Sequence, residues 1–401
     1  MTMAGALHRY RRQLAALFLM LLATPLLAAN EPPNVSARAW VLLDLDSGFV
    51  LSQFNEYLPL HPGGLTKLMA AYVMFQDIEA KKLDLKQSLA VRDPLRAING
   101  PRIFLKPTDT PSADVLLSAM IVHSANDAAL TLVDHLADSR QAFIDEMNRV
   151  ARVLGMTRTH FRNVTGLPDT NQATTAADLG LLARALKARF PQYQRYFRMK
   201  QIRYHDINQF NRNAMLWRDE YSDGLMASIN QATGNHIVAT SYRDDMHLAV
   251  VIMGATSEAR LFENAQALLN YGLRNYETRL LYPKGQTLAK VPVEAGSSSE
   301  ASIGTLDNLY VTLPRNTFAG LEAKPELEKK LTAPVDAGQD VGGLTLVYKG
   351  KTVAEYPLVA LQAIPVGNSL QQAWGRFRNW LREDDTAGAD EAAGLNSAPR
   401  Q

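Results

Sequence analysis

Hydrophobic positions along the chain change their period several times, and each change marks an element. Residues 39–51 read AWVLLDLDSGFVL, two apolar β-prone runs interrupted at Asp46-Ser47-Gly48, which predicts two strands joined by a tight turn. After Gly63 and Gly64 the period lengthens. Leu65, Leu68, Met69, Tyr72 and Val73 recur at spacings of three and four, the pattern of a helix with a buried face. Residues 115–121 and 127–136 carry helical patterns on either side of a polar knot, His123-Ser124-Ala125-Asn126. A further helix is predicted over 178–188, with Thr175 placed to cap it. Residues 237–242 and 247–253 are β-rich and flank the turn residues Arg243-Asp244-Asp245, a second hairpin, and helical spacing returns over 258–273.

From residue 282 onward the texture changes. Gly and Pro punctuate short β-prone runs at 309–313, 344–349 and 352–358, which reads as a small β-sandwich. Beyond it Leu370, Trp374, Phe377 and Leu381 fall at i, i+4, i+7 and i+11 with Arg376, Arg378 and Arg382 beside them. That stripe predicts an amphipathic helix over 368–382, suited either to a membrane surface or to packing on its own protein. Residues 383–401 are rich in Ala, Gly and acid, the composition of a disordered tail. At the other end Arg9, Arg11 and Arg12 precede an apolar run over 14–27, closed by Ala28 and Ala29. This is the layout of a secretory signal peptide over 1–29. The run falls short of the roughly 20 residues a spanning helix needs, and Pro25 interrupts it, so cleavage is favoured over a retained anchor.

Composition narrows the class. The 401 residues include no cysteine, so an exported chain of this kind must rest on an ordinary apolar core rather than on disulfides. An apolar content of 47% supplies that core, and the length suits two or three domains. The division expected is a main domain over 35–280, the β-sandwich over 285–366, then the helix and tail. A net charge of +2 without a concentrated basic stripe argues against a nucleic-acid partner. His123, His160, His236 and His247 show no ligand spacing such as H-E-x-x-H, so no metal is expected. The Gly-Gly pair at 63–64 lacks the rest of a phosphate loop, and no cofactor is expected.

Two local patterns carry chemistry. In Pro62-Gly63-Gly64-Leu65-Thr66-Lys67, positions 64 and 67 lie three apart at a helix start and so share a face. A serine at 64 would place its hydroxyl beside the Lys67 amine, where the lysine could take its proton and activate it for attack. In Ser124-Ala125-Asn126, a hydroxyl can relay protons to a leaving amine while the Asn amide holds substrate.

In this order the patterns resemble the serine D-alanyl-D-alanine carboxypeptidases, the low-molecular-weight penicillin-binding proteins of peptidase family S11. That family carries S-x-x-K, S-x-N and K-T-G on a fold shared with class A β-lactamases. Thr159-His160-Phe161-Arg162-Asn163-Val164-Thr165-Gly166-Leu167 is similar to its T-H-F-x-N-x-x-G-L segment. Asn211-Arg212-Asn213 with Leu216-Trp217 resembles its Q-N-R-N-x-L-L-W, and Val251-Ile252-Met253-Gly254-Ala255 its V-V-M-G-A strand. The resemblance runs from residue 39 to 276. It implies an α/β penicillin-binding (β-lactamase/transpeptidase-like) domain with a mainly antiparallel sheet and flanking helices, followed by the β-sandwich.

The departures carry equal weight. Gly64 stands where the family's nucleophilic serine belongs, and Met226-Ala227-Ser228 stand where K-T-G should follow Asp223-Gly224-Leu225. By resemblance Lys67 holds the general-base position, Ser124 the proton relay and Asn126 a substrate contact. The resemblance also makes Met226 a lost carboxylate-binding lysine, and Arg212 is either an anion contact or a packing residue. The expectation is a catalytically inactive relative acting by binding to peptidoglycan stem peptide or a cell-wall protein. It would reside in the periplasm, peripheral on the outer face of the bacterial inner membrane if the 368–382 helix anchors it. The competing expectation is an active carboxypeptidase whose nucleophile has moved to Ser124. Lys67, Ser124 and Asn126 then form either a surviving ligand pocket or a buried network whose members satisfy one another.

Overall fold

The fold is described from a computed structural model, over residues 31–92 and 98–368. The predicted signal segment and, from residue 369, the predicted helix and tail lie outside these residues. The chain divides into two compact units, one ending at Tyr276 and the other running on from Glu277.

In the first unit the strands are β1 (Ala39–Asp44), β2 (Val50–Phe54), β3 (Gln201–Tyr204), β4 (Ile207–Phe210), β5 (Ser222–Asn230), β6 (Gly234–Arg243) and β7 (Met246–Ala255). The labelled helices are α1 (Thr66–Glu79), α2 (Ala113–Val122), α3 (Asn126–Leu136), α4 (Arg140–Val153), α5 (Ala176–Arg189) and α6 (Glu258–Asn275). Five strands form one antiparallel sheet in the order β2-β1-β7-β6-β5, while β3 and β4 make a separate hairpin. The β1–β2 turn falls where Asp46-Ser47-Gly48 predicts it, closed by Asp44 Oδ1, which accepts from Ser47 N–H at 2.7 Å and Ser47 Oγ at 2.9 Å. Asp244 and Asp245 take positive φ in the β6–β7 turn, which short polar side chains tolerate best.

Both sheet faces are covered, which explains why β7 is apolar almost throughout. On one face Trp40, Leu42, Leu248, Val250 and Ile252 join Leu261, Phe262, Leu268 and Leu269 of α6 in a single core. On the other lies α5, packed closely enough that a Cβ on Gly180 would stand in ordinary contact with Leu43 and Val41 at 3.4–3.6 Å. Helix α1 is buried on every side from Thr66 to Phe75, so it is the central helix rather than a surface one. Ser112, Ser139, Thr175 and Ser257 each cap a helix, their hydroxyls accepting from the amide three residues on.

The second unit is built of β-strands. A six-stranded sheet and a two-stranded one share a core that includes Val291, Ala301, Ile303, Val311, Leu313, Leu344, Leu346 and Leu358. Most neighbours in the larger sheet are antiparallel, and one short edge strand, Leu331–Thr332, runs parallel to its neighbour.

Candidate functional site

The start of α1 is the centre of the site. A single 3₁₀ turn, Gly63–Leu65, leads into the helix, and the first amides of such a start have no partner within it. Gly63 N–H is satisfied by His61 Nδ1 at 3.0 Å, and Gly64 N–H donates to Ser228 Oγ at 2.7 Å. One turn along, Lys67 is buried and its Nζ donates to the Thr165 carbonyl oxygen at 2.6 Å. Its hydrogen bond thus runs to the backbone rather than to a serine hydroxyl. Burial first, and then the nearby Arg212 guanidinium, push the Lys67 amine down to about 7. A lysine so placed sheds its proton near neutrality, as a general base must.

Thr165 reaches Lys67 because residues 163–167 fold on themselves. Asn163 Oδ1 accepts from Gly166 N–H at 2.7 Å and Asn163 Nδ2 donates to Leu167 O at 3.0 Å. Gly166 has φ +78°, and a Cβ there would lie 1.8 Å from the Gly63 carbonyl oxygen. Only glycine permits that approach. Sequence reasoning included these residues in a resemblance but missed their role in holding Lys67, for which the paired Asn163 and Gly166 are the visible signal.

Ser124 occupies the break between α2 and α3 with φ +59°, an uncommon conformation for a side-chain-bearing residue and one that concentrates at functional sites. Its Oγ is 3.0 Å from where a Cβ on Gly64 would stand. Asn126 opens α3, with its Nδ2 donating to Asn99 O and its own N–H to Pro101 O, both at 2.7 Å, while its Oδ1 is buried with no partner among the described residues. Sequence reasoning also missed this segment of 99–101, which has no periodicity to announce it. Arg212 N–H donates to Val122 O at the end of α2, and its Nε is likewise buried and unpaired. Burial pulls the Arg212 guanidinium below its usual range, against the opposing charge of Glu258.

Strand β5 supplies the opposite wall. Asn213 Nδ2 holds the Gly224 carbonyl at 2.9 Å, which fixes the start of the strand. Beyond the β-bulge between Ser222 and Gly224 the pleat is regular. Ala227 joins the α6 core, so Met226 and Ser228 project from the other face, the one that meets the α1 start. Met226 is buried there and brings neither a donor nor a charge. The structure therefore brings Gly64, Lys67, Ser124 and Ser228 around one point, with Asn126 and Arg212 presenting unpaired polar atoms nearby. Among the described residues no group of three His, Asp or Glu is arranged to hold a metal ion.

An antiparallel sheet covered by helices, with this constellation at the head of a buried central helix and a separate β-strand unit after it in the sequence, is a fold that comparison with known proteins places. The D-alanyl-D-alanine carboxypeptidase family model matches residues 27–257, and the penicillin-binding protein 5 C-terminal domain matches residues 276–366. The chain belongs to the D-alanyl-D-alanine carboxypeptidase family. It is 34% identical to D-alanyl-D-alanine carboxypeptidase DacC of Escherichia coli over 91% of this chain and 95% of that one. It is 32% identical to DacA of Escherichia coli over 84% of this chain and 85% of that one. Among solved structures, penicillin binding protein 5 from Haemophilus influenzae superposes with a TM-score of 0.78 at 26% identity, over 84% of this chain and 99% of that one. Penicillin binding protein 6B from Escherichia coli gives 0.69 at 29% identity, over 84% and 99%.

Proposed function

We propose that this chain is a non-acylating member of its family that works in peptidoglycan metabolism by binding the D-alanyl-D-alanine end of a stem peptide. The observation that carries the reading is Gly64 at the head of α1. A residue without a side chain stands one turn before a buried lysine of lowered basicity, so the base has nothing to activate. Loss of a nucleophile typically removes several orders of magnitude of rate. Two further atoms favour retained binding over an inert network. A self-satisfied network would pair its members, yet among the described residues Asn126 Oδ1 and Arg212 Nε are buried without hydrogen-bond partners. An acceptor and a cationic donor are what a peptide amide and a terminal carboxylate require. In the proposed setting the chain acts in the periplasm after loss of residues 1–29, and the segment 368–382 holds it on the outer face of the inner membrane. Among the described residues no helix is long and apolar enough to cross a membrane.

The full chain is incubated with a fluorescent penicillin, denatured and separated on a gel, alongside titration with a stem pentapeptide ending in D-alanyl-D-alanine. The expected result is no labelled band together with saturable peptide binding. A labelled band abolished by Ser124→Ala would establish the alternative, a carboxypeptidase whose nucleophile has moved to Ser124. Absence of both label and binding would leave a cell-wall protein as the ligand to seek.

A further inference from the structure

Ser228 is conspicuous for what it touches. Its hydroxyl accepts the Gly64 N–H at 2.7 Å, and it lies 2.6 Å from the place a Cβ on Gly63 would take and 3.2 Å from that of a Cβ on Gly64. Ser228 Cβ is itself 3.4 Å from the Gly64 position. The hydroxyl thus closes the Cβ position of residue 63, where a φ of +56° favours glycine in any case, and crowds that of residue 64. The amide it occupies is also special, because it is a helix-start N–H with no partner inside the helix, beside the position of an attacking oxygen. A donor so placed is the kind that stabilises the oxyanion formed when a carbonyl is attacked.

We propose that Ser228 closes this site to acyl chemistry, and that Gly64 and Ser228 form one coupled exchange of side chain across the α1–β5 gap. This deepens the non-acylating reading, since it rests on residue 64 being the vacated nucleophile position. The hydroxyl does two things together. It takes the hydrogen bond that a substrate carbonyl oxygen would need, and with Ser124 Oγ it crowds the position a Cβ at 64 would take. A peptide held by Asn126 and Arg212 is consequently bound with its carbonyl unpolarised. The exchange also predicts that a return of the nucleophile alone is insufficient: the serine of Gly64→Ser would enter a space already bounded by Ser228 and by Ser124 Oγ at 3.0 Å.

The coupling predicts a change of sign. Gly64 does not have a positive φ, so a serine there bears no backbone strain and, with room available, is neutral or stabilising by the helix-start entropy that glycine wastes. The test is a cycle of Gly64→Ser, Ser228→Ala and the double variant in the full chain, read by thermal unfolding and by fluorescent penicillin labelling. Gly64→Ser is expected to lower Tm by on the order of 3 °C in the wild-type background and to leave it unchanged or raised in the Ser228→Ala background. The double variant is expected to take up label at least about tenfold faster than Gly64→Ser alone, a change worth about 1.4 kcal/mol in the barrier. Ser228→Gly serves as a second background, because it also removes the Cβ. Additive Tm shifts in both backgrounds overturn the proposal whatever the labelling shows, and so does equal labelling of Gly64→Ser with and without the change at 228. Label on the unaltered protein would instead remove the non-acylating reading and leave the Tm cycle to decide the coupling on its own.

Discussion

A lysine ammonium buried without a carboxylate loses its hydration and recovers little, and at Lys67 the recovery is one hydrogen bond to the Thr165 carbonyl. Its amine, at 10.5 in the open chain, falls to about 7 in the folded one. The direction of the linkage follows. Between those two values the unfolded chain carries the proton and the folded chain does not, so unfolding takes up a proton and stability rises with pH. Below about 7 both states are protonated and this slope disappears. Lys67→Met should remove it. The stability of the wild type relative to Lys67→Met is therefore expected to rise by roughly 1.4 kcal/mol per pH unit across the window from 7 to 10.5. Urea unfolding of both proteins at pH 6, 8 and 10 measures this, and parallel curves would mean that Lys67 stays charged. A lysine that is only part-protonated near pH 7 is fit to accept a proton, but Gly64 one turn before it offers no hydroxyl, which is why the proposed chemistry of this site is read from residue 64 rather than from 67.

Strand β5 shows how an element holds such residues in place. Its first turn is tied down by Asp223, whose carboxylate accepts from Thr240 Oγ1 at 2.6 Å and lies 3.0 Å from His247 Nε2. Burial would push Asp223 up, but the hydrogen bond and charge of His247, with Thr240, hold it below 3.8. A depressed carboxylate contributes stability above its unfolded value and loses it as pH falls through the folded one. Asp223→Asn should therefore destabilise by about 1–3 kcal/mol at pH 7 and flatten the acid limb below pH 4. Equal acid limbs in the two proteins would assign that limb to other groups. The strand was legible in the sequence only by resemblance, since DGLMASIN has no clean alternation. The β1–β2 and β6–β7 hairpins announced themselves because both flanks are β-branched or apolar and the turns carry Asp, joined by Gly48 in the first. Helix α1 was found from one stripe although all its faces are buried, a tertiary fact that no stripe can show. Helix α4 buries Phe143, Ile144, Met147, Val150 and Ala151, a stripe that was available and went unread. The β3–β4 hairpin is short and largely exposed, with Ile202 and Gln209 its buried positions, so nothing in its pattern separates it from loop. In the site, identities at 64, 67, 124 and 126 were readable. The Ser228 hydroxyl on the Gly64 amide was not, because it joins residues 164 positions apart.

At the scale of the molecule each of the two units has apolar packing of its own among the described residues, and each should answer to its own mutations. The first is centred on the five-stranded sheet and α6, where Leu268 is fully buried. The second belongs to the β-strand unit from Glu277, where Ile303 is fully buried and stands opposite Ala289 on one neighbouring strand and Ala360 on the other. Small residues on both sides leave Ile303 as the bulk that fills that part of the layer, and the neighbours cannot collapse far into the space it would vacate. Ile303→Ala is expected to destabilise its own unit by about 2–5 kcal/mol, the upper part of that range applying where relaxation is limited. Units with separate cores need not unfold together, and a two-domain chain is not expected to follow one two-state transition. Scanning calorimetry of the full chain should resolve two components. Ile303→Ala is expected to lower the smaller one while stem-peptide binding stays at the wild-type level, and Leu268→Ala to lower the larger one. A single transition that moves equally with both substitutions would show one cooperative molecule, and the role of the second unit would then extend to the stability of the site.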